Sequence, residues 1–441
     1  MATNFTQLII CLLASITVIV LLTIKYHIHA FFSLLIACFI VGLGVQMPVM
    51  NIIDSVKDGF GNIMRSLGLI IVLGTTLGII LEHTGSTKVM AAFILKVVGE
   101  KNASLAMSIT GFIVGMPIFC DSGFIVLNGI NKSLSKRSNI SLAITSGSLA
   151  TGLLAIHCMI PPHPGAASAA GVIGVDFGKL IMIGIVAALP AIIISNLWVN
   201  FMGKRMEFVY AEEEIIKEAA ATPPSVIKAF LPVIVPIVLI AIKSFLTIEK
   251  SAAGWINIFS VLGEPVIALA IGVLLAFNSS RAWTKNSVSR QLQESAEKAG
   301  GILVIICAGG AFGAVLAATK IGDQFSAILP LNTLGILFPF LITFILKTAQ
   351  GSSTVAIITA ASIVQPLLPA LQLQTDTGKL LAVLSMGAGS MMISHANDAY
   401  FWVIAKFAGL NMKTMLKLYS TATLLMGLVT LLTVYLLSLF I

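Results

Sequence analysis

Few residues in this chain can do chemistry, and they gather in four short stretches. Asp121 and Ser122 stand in Gly115-Met-Pro-Ile-Phe-Cys-Asp-Ser-Gly123. An ionisable group midway along an apolar segment is costly and marks an ion or proton path, although Asp121 also suits the N-cap of a half-helix at a wet tip. His157 and His163 stand in Ala155-Ile-His-Cys-Met-Ile-Pro-Pro-His-Pro-Gly165. Prolines at 161, 162 and 164 cannot continue a helix, so the chain unwinds and leaves carbonyls and amides free to meet a solute. The two imidazoles there either carry protons near neutral pH, bond to hydroxyls, or satisfy the broken backbone. The third stretch is Gln350-Gly351-Ser352-Ser353-Thr354, and the fourth is Ser394-His395-Ala-Asn397-Asp398. Hydroxyls, amides and glycine at the start of a half-helix make a nest for an oxyanion, because free N–H groups and the positive dipole end face the ligand. A carboxylate fits there without arginine, of which the four stretches have none. Ordinary capping is the alternative for Ser352, Ser353 and Thr354.

The elements that hold these residues must lie in a membrane. Of 441 residues, 58% are hydrophobic and 10% charged, whereas a soluble domain carries about a quarter charged residues. The apolar runs are long and unbroken, which excludes the alternating strands of a barrel, so the expected fold is an all-α polytopic membrane protein. Continuous spans are expected at 7–24, 30–46, 67–82, 179–202, 229–247, 256–277, 301–318 and 418–440. The first lacks a basic n-region and a cleavage site, and reads as a span and not a signal peptide. Segments 103–131, 140–176, 335–372 and 378–406 are apolar but interrupted near their middles by the four stretches above. Such breaks need protein or a wet cavity around them.

Other functions find little support. The net charge of +8 comes from scattered residues that form no nucleic-acid patch. Cys11, Cys38, Cys120, Cys158 and Cys307 match no metal or redox spacing. A metal-dependent intramembrane hydrolase built on His157, His163 and Asp121 would lack an HExxH-like base and a nucleophile elbow. No enzyme, cofactor or metal is therefore expected. A passive channel is a further alternative, distinguished by failure to concentrate its solute.

A shift of 235 positions aligns Gly74 and Gly78 with Gly309 and Gly313, Gly152 with Gly387, Gly174 with Gly409, and both pairs of broken segments. Two repeats follow, 1–202 and 229–441, joined by a charged linker at 203–228. The Gly-x3-Gly pairs read as close packing sites. Lys and Arg in the short loops place the N-terminus outside. On that topology 103–131 and 335–372 are re-entrant hairpins, 140–176 and 378–406 are broken helices, and five crossings per repeat make the second inverted. This is an architecture of secondary transporters with a midplane site.

The stretches Ile156-His-Cys-Met-Ile-Pro-Pro-His-Pro-Gly165, Ala308-Gly-Gly-Ala-Phe-Gly-Ala-Val-Leu316, Gln350-Gly-Ser-Ser-Thr-Val-Ala-Ile-Ile-Thr359 and Ser394-His-Ala-Asn-Asp-Ala-Tyr-Phe-Trp-Val403 together resemble the gluconate permease, or gluconate:proton symporter, family over nearly the whole chain. The resemblance implies a bacterial inner-membrane symporter that imports a gluconate-like carboxylate with protons, using the ion-transporter superfamily fold and an elevator motion. It also implies a homodimer as the assembly. The Cys120-Asp121-Ser122-Gly123 tip is smaller and more polar than the Phe-Phe-acid tip of many members. The Ser-His-Ala-Asn-Asp stretch is nearer the sugar-acid carriers than the D-serine type. On this reading His163, Ser122, Gly351, Ser352, Ser353, Thr354, Ser394, His395 and Asn397 bind substrate, and Asp121, Asp398 and His157 couple protons. A sodium-coupled carrier, or a D-serine or hydroxy-acid carrier, of the same fold is the competing expectation.

Overall fold

A computed structural model describes residues 5–207, 223–246, 254–279, 283–321 and 333–440. Among them there is no strand, and seven helical runs are long and apolar enough to cross a membrane. The protein is an all-α multi-pass membrane protein. In chain order the helices are α1 (Phe5–Ile24), α2 (Ala30–Gly44), α3 (Val49–His83), α4 (Ser86–Val98), α5 (Ala103–Val114), α6 (Cys120–Ser138), α7 (Leu142–Met159), α8 (Pro164–Ile173) and α9 (Phe177–Gly203). They continue as α10 (Val226–Leu246), α11 (Gly254–Leu262), α12 (Pro265–Phe277), α13 (Lys285–Ala318), α14 (Leu337–Gln350), α15 (Ser353–Val364), α16 (Asp376–Met391) and α17 (Ala399–Ala408). The last, α18 (Met412–Leu437), contains a π turn over Leu416–Ser420.

Helix bounds echo the 235-residue shift. Added to α3 it gives 284–318, against Lys285–Ala318 for α13, and added to α8 it gives 399–408, the bounds of α17. The same sum carries α5 onto α14, α7 onto α16 and α9 onto α18 within three residues. Each broken segment is two helices. Segment 103–131 holds α5 and the start of α6, and 140–176 holds α7 and α8. Segment 335–372 holds α14 and α15, and 378–406 falls within α16 and α17.

Three spans differ from the hydropathy reading. The expected span 67–82 is the second half of α3, which has 35 residues, and 301–318 is the second half of α13, which has 34. At 1.5 Å per residue each reaches about 50 Å, well beyond about 30 Å of hydrocarbon. Their first halves carry Asn51, Asp54, Lys57, Asp58 and Arg65, and Arg290, Glu294 and Lys298, so hydropathy rejects them although the helix continues. The two long helices pack on each other. At their crossing a Cβ on Gly59 would lie 2.7 Å from Ala314 Cβ, and one on Gly310 would lie 2.8 Å from the Gly59 carbonyl. Segment 256–277 is two helices, because Pro265 opens α12 at its first turn and Glu264 precedes it, bonded to Lys243. The acidic part of the expected linker, 208–222, lies outside the described residues.

α7 occupies the centre, with every residue buried. α5 packs against it through Gly111, where a Cβ would sit 2.5 Å from the Leu149 carbonyl. Across the halves, α15 lies on α8, α17 on α6 and α16 on α7. The unwound chain between α7 and α8 is thus enclosed by protein, as freed backbone groups in a membrane require.

Candidate functional site

Each of the four interruptions starts a short helix. α6 begins after Phe119, α8 after His163, α15 after Ser352 and α17 after Asp398. The first intrahelical bonds run from Gly123 N to the Phe119 carbonyl and from Ala356 N to the Ser352 carbonyl. Amides of Cys120, Asp121 and Ser122, and of Ser353 and Thr354, therefore precede the helical ladder. The positive ends of four helix dipoles lie at the interruptions. Ser352 is a true N-cap, its hydroxyl accepting from Val355 N at 3.3 Å. Asp121 is in the first turn of α6 and is not the cap, a position Phe119 holds.

The first break and both hairpins meet at the histidines. His157 Nδ1 lies 3.2 Å from His163 Nδ1, His157 Nε2 lies 3.2 Å from Thr354 Oγ1, and His163 Nε2 lies 2.8 Å from the Gly115 carbonyl. The carbonyl only accepts, so His163 carries its hydrogen on Nε2 and presents Nδ1 as an acceptor when neutral. His157 then donates from Nδ1, and its Nε2 accepts from the Thr354 hydroxyl. The result is a directed chain from Thr354 in hairpin two to Gly115 in hairpin one. Gly165 allows the close seat of α8 on α15: a Cβ there would meet Ile357 Cδ1 at 2.9 Å.

The second break and second hairpin meet at an ion pair. Lys347 Nζ lies 2.7 Å from Asp398 Oδ2, with the two residues 1% and 6% exposed. Lys347 also donates to the Gly351 carbonyl, and the Ser394 hydroxyl donates to Asp398 Oδ2. The other carboxylate oxygen caps α17, accepting from Tyr400 N at 2.9 Å. His395 Nε2 and Asn397 Nδ2 reach the Thr348 carbonyl at 3.1 and 2.8 Å, and Asn397 also reaches that of Ala349 at 3.1 Å. These are the last carbonyls of α14, which lack intrahelical donors. His163 serves the Gly115 carbonyl at the end of α5 in the same way. In both halves the broken helix therefore caps the first arm of its hairpin.

The structure thus brings all the expected site residues to the interruptions, but it divides them. His157, His163, Ser353, Thr354, Ser394, His395, Asn397 and Asp398 spend hydrogen bonds on one another or on the backbone, Ser353 Oγ donating to the Ser390 carbonyl at 3.0 Å. Asp121, Ser122 and Ser352 stay half-exposed. Gly351 adopts φ +82° and passes hard against the Asn397 backbone. The glycine pairs serve packing: a Cβ on Gly74 would lie 2.9 Å from Pro162 Cβ, Gly78 abuts the Pro117 carbonyl, and Ser362 Oγ donates to the Gly309 carbonyl at 2.5 Å.

Two residues of the site escaped the sequence reading. Lys347 sits in Leu337-Phe-Pro-Phe-Leu-Ile-Thr-Phe-Ile-Leu-Lys347, where a lone cation inside an apolar half-helix was the available signal. Gln350 was noted only as part of its stretch, yet both of its amide atoms are buried without a partner. No cluster of three or more His, Cys, Asp or Glu able to hold a metal occurs among the described residues.

The profile of the GntP family permeases matches residues 7–440. The chain is 32% identical over 441 residues to a gluconate permease of Pseudomonas aeruginosa, covering 97% of this chain and 96% of that one. It is 31% identical to the D-serine transporter of Escherichia coli K12, covering 97% of each. It is 29% identical to that organism's high-affinity gluconate transporter, over 92% of this chain and 93% of that one. Among solved structures, a YdaH transporter from Alcanivorax borkumensis, described as having an unusual topology, superposes with a TM-score of 0.57 at 14% identity, over 86% of this chain and 87% of that one. A family match of this extent, on an all-helical membrane fold interrupted at four polar stretches, means that the chain belongs to the GntP permease family and is a transporter, not an enzyme.

Proposed function

We propose that this permease is a secondary active symporter that imports gluconate or a similar sugar acid with protons across a bacterial inner membrane. The observation that carries the reading is the site itself, where four helix N-termini meet hydroxyls and amides with no arginine. That field favours one carboxylate on a polyhydroxylated body. The hydroxyls and amides of 350–354 and 394–398 hold the carboxylate, Ser122 meets the hydroxyl chain directly, His163, His395 and Asn397 reach the solute by exchanging their present backbone bonds for it, and Asp121, Asp398 and His157 serve proton coupling. Relatives named for gluconate support the sugar acid, and the one named for D-serine is the reason to test that class beside it.

The proposal includes two inverted repeats, 1–202 and 229–441, moving in an elevator-like manner, a periplasmic N-terminus and a homodimer. Uptake into proteoliposomes tests the function. An inward proton gradient should concentrate gluconate in the absence of sodium, and dependence on sodium at fixed pH would instead select the sodium-coupled reading. A thermal-shift screen of aldonates, hydroxy acids and D-amino acids should show stabilisation by aldonates. Stabilisation by none of them would refute the substrate class.

A further inference from the structure

Gln350 and Lys347 lie three residues apart at the end of α14, in the arm that leads into the second hairpin tip. One is a buried amide with neither end bonded. The other is a buried ammonium whose charge is balanced by a single carboxylate, Asp398. A buried amide without partners costs free energy unless some group completes it, and a buried cation must keep an anion beside it. We infer that Lys347 is the counter-ion of the substrate carboxylate, which displaces Asp398 from it, and that Asp398 takes up a proton as it is released, while Gln350 bonds the adjacent hydroxyl of a 2-hydroxy acid. This rests on the sugar-acid reading above and specifies how its site couples the two solutes.

Charge balance supplies the coupling. Before binding, Lys347 and Asp398 sum to zero. A carboxylate added alone would leave two anions against one cation in a protein-enclosed site, with a desolvation cost that their geometry cannot offset. With one proton added to Asp398, Lys347 pairs with the substrate and the sum is again zero. No covalent bond changes and no other reactant is needed. The titratable groups within electrostatic range of the pair are Asp121 and Cys120 of α6, His157 and Cys158 of α7, Tyr400 of α17 and Tyr419 of α18. Among these Asp121 is the one other carboxylate, and it is half-exposed and has no cation in hydrogen-bond range among the described residues. Asp398 has the better claim because its release and the arrival of the substrate are one exchange at one ammonium. Its remaining bonds suit the neutral form too: a protonated carboxyl still accepts from Tyr400 N through one oxygen, and the other can donate once Lys347 turns away.

Isothermal titration of purified protein with gluconate, in buffers of different ionisation enthalpy at one pH, reads both affinity and protons taken up per ligand. Wild type should take up about one proton per gluconate, and Asp398→Asn about none at saturation, while Lys347→Gln should lose affinity by about tenfold or more. Should Lys347→Gln fail to fold, the neutral pair Lys347→Met with Asp398→Asn removes the ammonium without stranding a charge and should show the same loss. Gln350→Leu should raise the unfolding temperature without ligand, because an unpaired amide is removed, yet weaken gluconate binding; a purely structural glutamine would not separate the two. Undiminished proton uptake in Asp398→Asn, or affinity within about threefold of wild type once the lysine is gone, overturns the inference alone. Wild type that binds no sugar acid overturns the substrate reading and this exchange with it.

Discussion

The pair Lys347 and Asp398 can be tested for its contribution to stability apart from transport. Lys347 and Asp398 bond at 2.7 Å and both are buried. Removing one member of such a pair strands a charge and costs about 3–5 kcal/mol. The two single variants should differ within that range. Lys347→Met leaves Asp398 with the Ser394 hydroxyl and Tyr400 N, which places it near the lower end. Asp398→Asn keeps the cap of α17, since Asn caps as well as Asp, but leaves the ammonium with the Gly351 carbonyl as its remaining acceptor. The double variant strands no charge. Its residual cost is the Gly351 carbonyl without a donor, about 1–3 kcal/mol. Two singles near 3 and 5 would sum to about 8 kcal/mol, so with a double variant that costs about 1–3 kcal/mol a coupling of about 5–7 kcal/mol is expected in the double-mutant cycle. Equilibrium unfolding in mixed micelles, followed by tryptophan fluorescence, measures each corner. Losses that add within about 0.5 kcal/mol would show that the two charges do not depend on each other and would refute the reasoning.

Three further outcomes are expected. Gly351→Ala places a side chain at φ +82° against the Asn397 backbone, where the left-handed conformation alone costs about 1–2 kcal/mol; a lowered unfolding temperature and lost uptake are expected, and an unchanged one would refute the close approach. Thr354→Val removes the donor to His157 Nε2 and should cost about 1–3 kcal/mol, whereas Thr354→Ser should retain stability and uptake; equal behaviour of the two would refute the directed chain through the histidines. Asp121→Asn should reduce gradient-driven accumulation of gluconate in proteoliposomes, and full accumulation would remove Asp121 from proton coupling.

Much of this protein is legible in its sequence because bilayer physics is nearly one-dimensional. A run of apolar residues long enough to cross must be a helix, and prolines at 161, 162 and 164 must end one. The four broken segments, the polar stretches within them and the helix correspondence at 235 residues follow from such local facts. Local facts also failed in identifiable places. The polar first halves of α3 and α13 read as loops, because hydropathy averages over all sides of a segment and these halves are helices that bury only one stripe, Ile52, Gly59 and Ile63 in α3 and Gln291, Ser295 and Ala299 in α13. Lys347 read as one more scattered cation, because a lysine's meaning depends on what faces it, and Asp398 is 51 residues away.

Only the tertiary structure decided how the candidate residues divide. Sequence treated His395, Asn397 and His163 as equal to Ser122 and Ser352 and passed over Gln350, since side-chain type shows what a group can bond and not what it already bonds. Packing of the broken helices against their hairpins consumes the first three on the final carbonyls of α5 and α14, and leaves the Gln350 amide unpaired. Residue types along an apolar chain determined that there would be a polar site in the membrane. Which of its groups remain for a solute was decided by where helix ends meet, because each unsatisfied backbone carbonyl claims the nearest donor first.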